Sequence, residues 1–171
     1  MTIKTKIFID GPTEEDMKEL SNKVDGFTFN PTLFKNLGVK DYLLHCKKVI
    51  QISNNLPISL EVIGDDHETL LEQGKILSSL AKNVYVKIPI TFTNGSSTLT
   101  VIEKLISKKI NLNITAIFTI DQIRELMPVI NSSKSVLSVF AGRLFDIGID
   151  AKPVMNNMSS YIHKNSNCEL L

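Results

Sequence analysis

The sequence has no run of like charge: lysine and arginine total 19 against 18 for aspartate and glutamate. The basic stripe of a nucleic-acid binder is therefore missing, and a small neutral or singly anionic ligand stays open. No apolar stretch is long enough to span a bilayer, and "MTIKTKIFIDGP" at the N-terminus carries the apolar run of a β-strand rather than that of a secretory leader. A cytoplasmic protein with no membrane partner is expected. Cysteine occurs only twice, at Cys46 and Cys168, without companion histidines at metal-ligand spacing, which argues for inert thiols and against a zinc site or a disulfide. No Gly-x-Gly-x-x-Gly and no Walker-type loop follows any apolar run, which removes the strongest support for a nucleotide-binding open sheet.

What is present is a repeating plan. With 43% hydrophobic and 22% charged residues, residues 1–171 suit one globular domain with a sizeable core. Short β-rich runs recur ("KIFID", "GFTFN", "ISLEVI", "VYVKIPI", "LNITAIF", "SVLSVFAG"), separated by amphipathic stretches with helical spacing. Five such stretches stand out: "PTEEDMKELSNKV", "KDYLLHCKKVIQISNN", "DDHETLLEQGKILSSLAK", "SSTLTVIEKLISKK" and "DQIRELMPVI". Pro12 and Thr13, Asp65 and Asp66, Ser96 and Ser97, and Asp121 supply helix-start signals. Alternation of this kind implies parallel strands with helical crossovers, as an open doubly wound sheet or a closed barrel.

Strand parity favours the barrel. Successive side chains face opposite ways, so the fourth run splits into Val84, Val86, Ile88 and Ile90 on one face and Tyr85, Lys87 and Pro89 on the other. The same division opposes Ile58, Leu60 and Val62 to Ser59, Glu61 and Ile63, and opposes Leu112, Ile114 and Ala116 to Asn113, Thr115 and Ile117. One face is aliphatic, as a surface beneath helices should be. The other collects Asp10, Glu61, Lys87, Asn113, Thr115 and Ser138, which converge on one axis if the sheet closes.

A lone strand lysine most often sits at a sheet edge with its ammonium in water. Lys87 lies in the middle of the series and shares its face with a carboxylate and hydroxyls, which points elsewhere. Burial disfavours an ammonium, and a free amine attacks ketones and aldehydes to form a Schiff base. Glu61 is suitably typed for the accompanying proton transfers, and Asp10 for accepting a proton as a carbon–carbon bond breaks.

Four ordered motifs, "GFTFNPTLF" (26–34), "VYVKIPIT" (84–91), "NLNITAIF" (111–118) and "SVFAGRLFDIG" (138–148), resemble those of the transaldolase family, in particular the small subfamily that also contains fructose-6-phosphate aldolase. The resemblance implies a (β/α)8 barrel and Schiff-base transfer of a dihydroxyacetone unit between sugar phosphates, with no cofactor and no metal. It implies Lys87 as the Schiff-base residue, Asp10 as the residue of bond cleavage, and Glu61 as an acid/base group working with Thr115 through a water. Asn30 and Asn113 would hold substrate hydroxyls, Thr28, Ser138 and Phe140 would line the pocket, and Arg143, opening a short helix, would bind phosphate. The aldolase-type members resemble the rest but tend to carry glutamine at the Glu61 position and tyrosine at the Phe140 position, so this chain is expected to be a transaldolase. The subfamily also implies a homo-oligomer.

There are departures from the pattern. Gly11-Pro12 replaces a small Thr-Ala or Thr-Ser pair, Phe29 stands where threonine or serine is common, and Phe27 where a smaller aliphatic is usual, all expected to alter the pocket's shape. Only the start of a seventh strand is legible, at "NCELL" (167–171), so the barrel is expected to lack its last one or two strand-helix units and, with them, further phosphate contacts. His45, His67 and His163 belong to no constellation and read as surface or packing residues.

Overall fold

Parallel strands cannot be joined by tight turns, and the chain spends most of its length on helical crossovers. A computed structural model describes residues 5–130 and 133–171. Among them are seven strands, β1 (Phe8–Asp10), β2 (Gly26–Phe29), β3 (Ile58–Glu61), β4 (Val84–Pro89), β5 (Leu112–Ile117), β6 (Val136–Val139) and β7 (Glu169–Leu170). The crossovers are α1 (Glu14–Leu20), α2 (Pro31–Asn36), α3 (Tyr42–Ile52), α4 (His67–Leu80), α5 (Leu99–Ser107), α6 (Ile120–Ile130), α7 (Ala141–Asp146) and α8 (Ala151–Asn165). All neighbours pair in parallel and the spatial order is the sequence order.

That order never reverses, which distinguishes a barrel sheet from a doubly wound one. The sheet curls: a cavity of about 470 Å³ is lined together by Phe8, Ser59, Tyr85, Asn113, Val136 and Glu169, from six of the seven strands. Lys6, just before β1, meets Glu169 of β7 at 2.5 Å. The architecture is thus that of a (β/α)8 barrel left open between β1 and β7, with no eighth strand among the described residues.

The aliphatic faces lie under the helices as parity requires. Val84, Val86, Ile88, Ile58, Leu60, Leu112 and Ile114 are buried in one cluster with Leu77 of α4 and Ile102 and Leu105 of α5. Gly74 lets α4 approach, because a Cβ there would lie 2.9 Å from Leu105 Cδ2.

One expectation needs correction. Ala116 is not a regular member of the aliphatic set: it adopts φ 58° at a register shift between Ile114 and Ile117, and Ile117 takes the buried place instead. This is a bulge, one extra residue that reverses parity beyond it; Asn113 and Thr115 precede it and keep their aim. Asp121 lies in the first turn of α6, as a helix-start signal should, and Thr119 and Gln122 add capping bonds to each other's backbone. Ser97 Oγ accepts from the first N–H of α5, that of Leu99, at 3.2 Å, while Thr98, the residue just before the helix, donates its hydroxyl to the Pro89 carbonyl. The five helical stretches also omit α8, whose buried residues Ala151, Met158 and Ile162 are spread among asparagines and serines.

Inside the curl, Phe8 lies over Gly26. A Cβ on Gly26 would sit 2.3 Å from Phe8 Cε1 and 2.7 Å from the Pro57 carbonyl oxygen, and the latter is backbone that cannot step aside. Gly26→Ala should therefore cost about 1–3 kcal/mol of stability, the range of overpacked cores. Urea denaturation checks this, and an unchanged midpoint would contradict it.

Candidate active site

Register brings the site together. Glu61 of β3, Lys87 of β4 and Asn113 of β5 are direct cross-strand partners, so three adjacent central strands present them side by side on the inner face. Lys87 is 5% exposed, and its Nζ lies 3.3 Å from Glu61 Oε2. β4 has three strands on each side, which removes the edge-strand reading of this lysine.

The backbone under the pair is pinned from outside. The Tyr42 hydroxyl, from the start of α3, donates to the Glu61 carbonyl. Burial raises the Tyr42 pKa, so the group stays a donor. Gln73 Oε1 on α4 accepts from the backbone N–H of Ile63 at 2.6 Å and of Gly64 at 3.1 Å, holding the loop beyond β3. Thr98 donates to the Pro89 carbonyl at 2.6 Å and fixes the end of β4.

Burial also dominates the electrostatics of Glu61, raising its pKa although the Lys87 ammonium pulls it back in part. A carboxyl group in that condition holds its proton more tightly than one in water.

A cavity of about 200 Å³ at the C-terminal ends of the strands is lined by Asp10, Thr28, Lys87, Asn113, Thr115, Ser138 and Phe140, with Phe8, Val139 and Leu171. Within it the Thr28 hydroxyl donates to Asp10 Oδ1. Ser138 Oγ donates to Asn113 Oδ1 at 2.7 Å, and Asn113 Nδ2 donates to Ser59 Oγ at 3.0 Å. The Thr115 hydroxyl, on a residue 1% exposed, has no hydrogen-bond partner among the described residues. A buried hydroxyl without a partner is costly unless a ligand or water supplies one.

Glu61, Asn30 and Arg143 line the adjoining mouth, a wider cavity of about 770 Å³, and Phe140 lines both spaces. Phe118 holds the Phe140 ring edge-to-face at 5.7 Å. Asn30 caps α2, its Oδ1 accepting from Leu33 N at 2.9 Å, which leaves its amide N–H groups for a ligand. Arg143 is the third residue of α7, largely exposed, and 3.4 Å from Asp146. Since α7 is only six residues long, attraction for an anion there rests on the guanidinium rather than on a helix terminus.

The residues set aside by sequence lie elsewhere. His45 packs edge-on against Phe34 at 4.6 Å and His67 against Phe92 at 4.8 Å, while His163 lies 3.4 Å from Ser159 on α8. Cys46 and Cys168 are buried free thiols, the former with its pKa pushed up to about 12 by burial. Two further residues bear on the site without having been singled out. Ser59 showed its inward parity but no chemistry of its own, and Tyr42 gave no signal, because its contact is with backbone.

The family model described as transaldolase/fructose-6-phosphate aldolase matches residues 7–170. The chain belongs to that family. It is 33% identical over 159 residues to probable transaldolase 2 of Listeria monocytogenes, covering 92% of this chain and 69% of that one. It is 33% identical to a probable transaldolase of Bdellovibrio bacteriovorus, over 90% of this chain and 68% of the relative. With one from Methanococcus maripaludis it shares 35% over 162 residues, 91% of this chain and 71% of the other. Among solved structures it resembles N-acetylneuraminate lyase from Mycoplasma synoviae at a TM-score of 0.49 and 15% identity, over 96% of this chain and 68% of that one, a likeness too slight to argue from. Among the described residues, no helix is long and apolar enough to cross a membrane.

The raised Glu61 pKa has a measurable sign. Between its unfolded value near pH 4.3 and its higher folded value, the folded chain holds a proton that the unfolded chain has lost, so this group makes stability fall as pH rises through that window. Glu61→Gln removes the effect. The stability of the variant minus that of the unaltered chain should increase from about pH 4 to about pH 7, measured by denaturant unfolding across pH. A difference that stayed flat would show that Glu61 is not desolvated.

Proposed function

We infer that this family member is a transaldolase, moving a dihydroxyacetone unit from sedoheptulose 7-phosphate to glyceraldehyde 3-phosphate to give erythrose 4-phosphate and fructose 6-phosphate, a step of the pentose phosphate pathway in the cytoplasm. The observation that carries the reading is a buried lysine amine 3.3 Å from a half-buried carboxyl, at the wall of a cavity lined by hydroxyl and amide groups.

The chemistry follows from the pair. Moving one proton from Lys87 Nζ to Glu61 leaves a free amine and a neutral acid, and the amine adds to the ketose carbonyl carbon. Glu61 returns a proton to the departing oxygen, water leaves, and a protonated imine forms. Asp10 takes the proton of the substrate hydroxyl on the far carbon of the scissile bond, the carbon that becomes the aldehyde. That bond breaks, its electron pair passes into the imine as an enamine, and an aldehyde departs. The enamine carbon then adds to the acceptor aldehyde, Asp10 gives its proton back, and water releases the product. The unpartnered Thr115 hydroxyl suits the water that is lost and regained, Asn30 and Asn113 suit the substrate hydroxyls, and Arg143 at the mouth suits the phosphate. Thr28 keeps the Asp10 carboxylate oriented, while Ser138 and Phe140 bound the space. Subfamily resemblance also supports a homo-oligomer.

Glutamate at position 61 and phenylalanine at 140, where the aldolase branch resembles the rest but carries glutamine and tyrosine, favour transfer over simple cleavage. A reading of another class, a silent barrel that serves an assembly, is motivated by the edges of β1 and β7, which pair with no further strand among the described residues.

Borohydride treatment with fructose 6-phosphate separates these readings. The expected product is a stable dihydroxyacetone adduct on Lys87, found by peptide mass spectrometry and absent from Lys87→Ala. No adduct on the folded chain sinks the enzyme reading. Glyceraldehyde 3-phosphate release should depend on added erythrose 4-phosphate, and release without an acceptor would make the chain an aldolase.

A further inference from the structure

Asn113 is tethered at both ends of its amide. Ser138 of β6 donates to Oδ1 at 2.7 Å, and Nδ2 donates to Ser59 of β3 at 3.0 Å. All three residues are buried. The bridge therefore crosses the inner face of β4, the strand that carries Lys87, and it does so at a boundary. Asn113 lines both the 200 Å³ cavity and the 470 Å³ cavity below it, Ser138 only the upper and Ser59 only the lower.

An asparagine amide turns easily about its last torsion, which is broad rather than staggered. One tether leaves it free to pivot, whereas two on opposite ends fix its plane. Ser59 stands two residues before Glu61 on the same inward face, with Tyr85 as its β4 partner. It is close enough to hold Asn113, yet on the far side of it from the reacting groups.

We propose that Ser59 is a positioning residue for the reaction. By accepting from Asn113 Nδ2 it holds the amide plane so that the second N–H of that nitrogen is presented to the substrate hydroxyl beside the carbon that Lys87 attacks. Ser59 itself touches no substrate. This assignment rests on the Schiff-base reading for its chemical consequence, although the tether itself does not.

Two variants and two readouts test it. In Ser59→Ala, kcat for transfer from fructose 6-phosphate to erythrose 4-phosphate should fall roughly tenfold or more while KM stays within about threefold, because orientation is lost and binding is not. Ser59→Thr keeps the hydroxyl, has the lower cavity for its methyl group, and should recover most of the rate. Separately, the 15N-resolved side-chain amide resonances of Asn113 should shift and exchange faster in Ser59→Ala, and stay close to the original in Ser59→Thr. A Ser59→Ala chain with undiminished kcat overturns the proposal, as does a Ser59→Thr chain as slow as Ser59→Ala. Unchanged Asn113 amide resonances in Ser59→Ala overturn it even if no turnover is seen. Absence of a borohydride adduct on the unaltered chain would instead strike the Schiff-base reading, with the amide spectra still deciding the tether.

Discussion

The buried ion pair between Lys87 and Glu61 is the interaction on which the rest of the arrangement depends. Removing a carboxylate and an ammonium from water costs several kcal/mol per ion, and their attraction recovers that only where geometry is held and further polar partners are near. The raised Glu61 pKa expresses the same cost as proton affinity. Holding the geometry falls to the backbone: parallel register sets the two residues side by side, and Tyr42, Gln73 and Thr98 tie down the strand ends that carry them. A pair held out of water at that cost is a poor device for stability. A carboxyl whose proton affinity is raised beside an amine is instead the kind of arrangement that marks sites of chemistry.

Convergence on one axis needs a curled sheet, but it does not need a closed one. Asp10, Thr28, Glu61, Lys87, Asn113, Thr115 and Ser138 come from β1 to β6, and β7 adds only Leu171, just beyond its end, to the wall of the upper cavity. The lower half of the interior behaves differently. A packed barrel fills this space with layers of side chains, whereas here Gly26 and Ser59 are small and a cavity of about 470 Å³ remains. The polar bridge from Ser59 through Asn113 to Ser138 runs along the boundary with the upper cavity, where Phe8 and Leu171 also line both spaces.

Most of this was legible because period-two alternation is a strong signal, and six central positions could be assigned a face from it alone. Lys87, Glu61, Asn113 and Thr115 share a surface for that reason, and their identity as a set needed no knowledge of the third dimension. The bulge at Ala116 was hidden, since a non-glycine residue at positive φ leaves no mark in composition. Helix α8 was hidden by its asparagines and serines, which weaken the 3.6-residue pattern to three buried positions. The capping of α6 by Thr119 and Gln122 was overlooked in favour of a nearby aspartate. Contacts between distant segments such as Tyr42 to the Glu61 carbonyl lie beyond sequence reading altogether, because backbone acceptors are present at every residue.

The departures from the family pattern carry the last step. Phe27 and Phe29 alternate with the inward Thr28 and are fully buried beneath the helices, so they do not reshape the pocket as their size first implied. Phe29 packs on Phe34 at 4.9 Å, Phe34 on Tyr42 at 5.2 Å, and Tyr42 reaches the Glu61 carbonyl. An aromatic column outside the sheet thus fixes the donor that fixes the end of β3. Gly11 acts comparably on the other side of the site. It adopts φ +64°, a Cβ there would meet Leu33 Cδ1 at 2.8 Å, and its N–H donates to the Thr28 carbonyl at 2.8 Å. The turn after Asp10 is therefore closed against β2 and α2 in a way that a threonine could not adopt without strain. Both departures act on the scaffold behind a carboxylate rather than on the cavity before it, which is how they can coexist with the inward set of Asp10, Glu61 and Lys87.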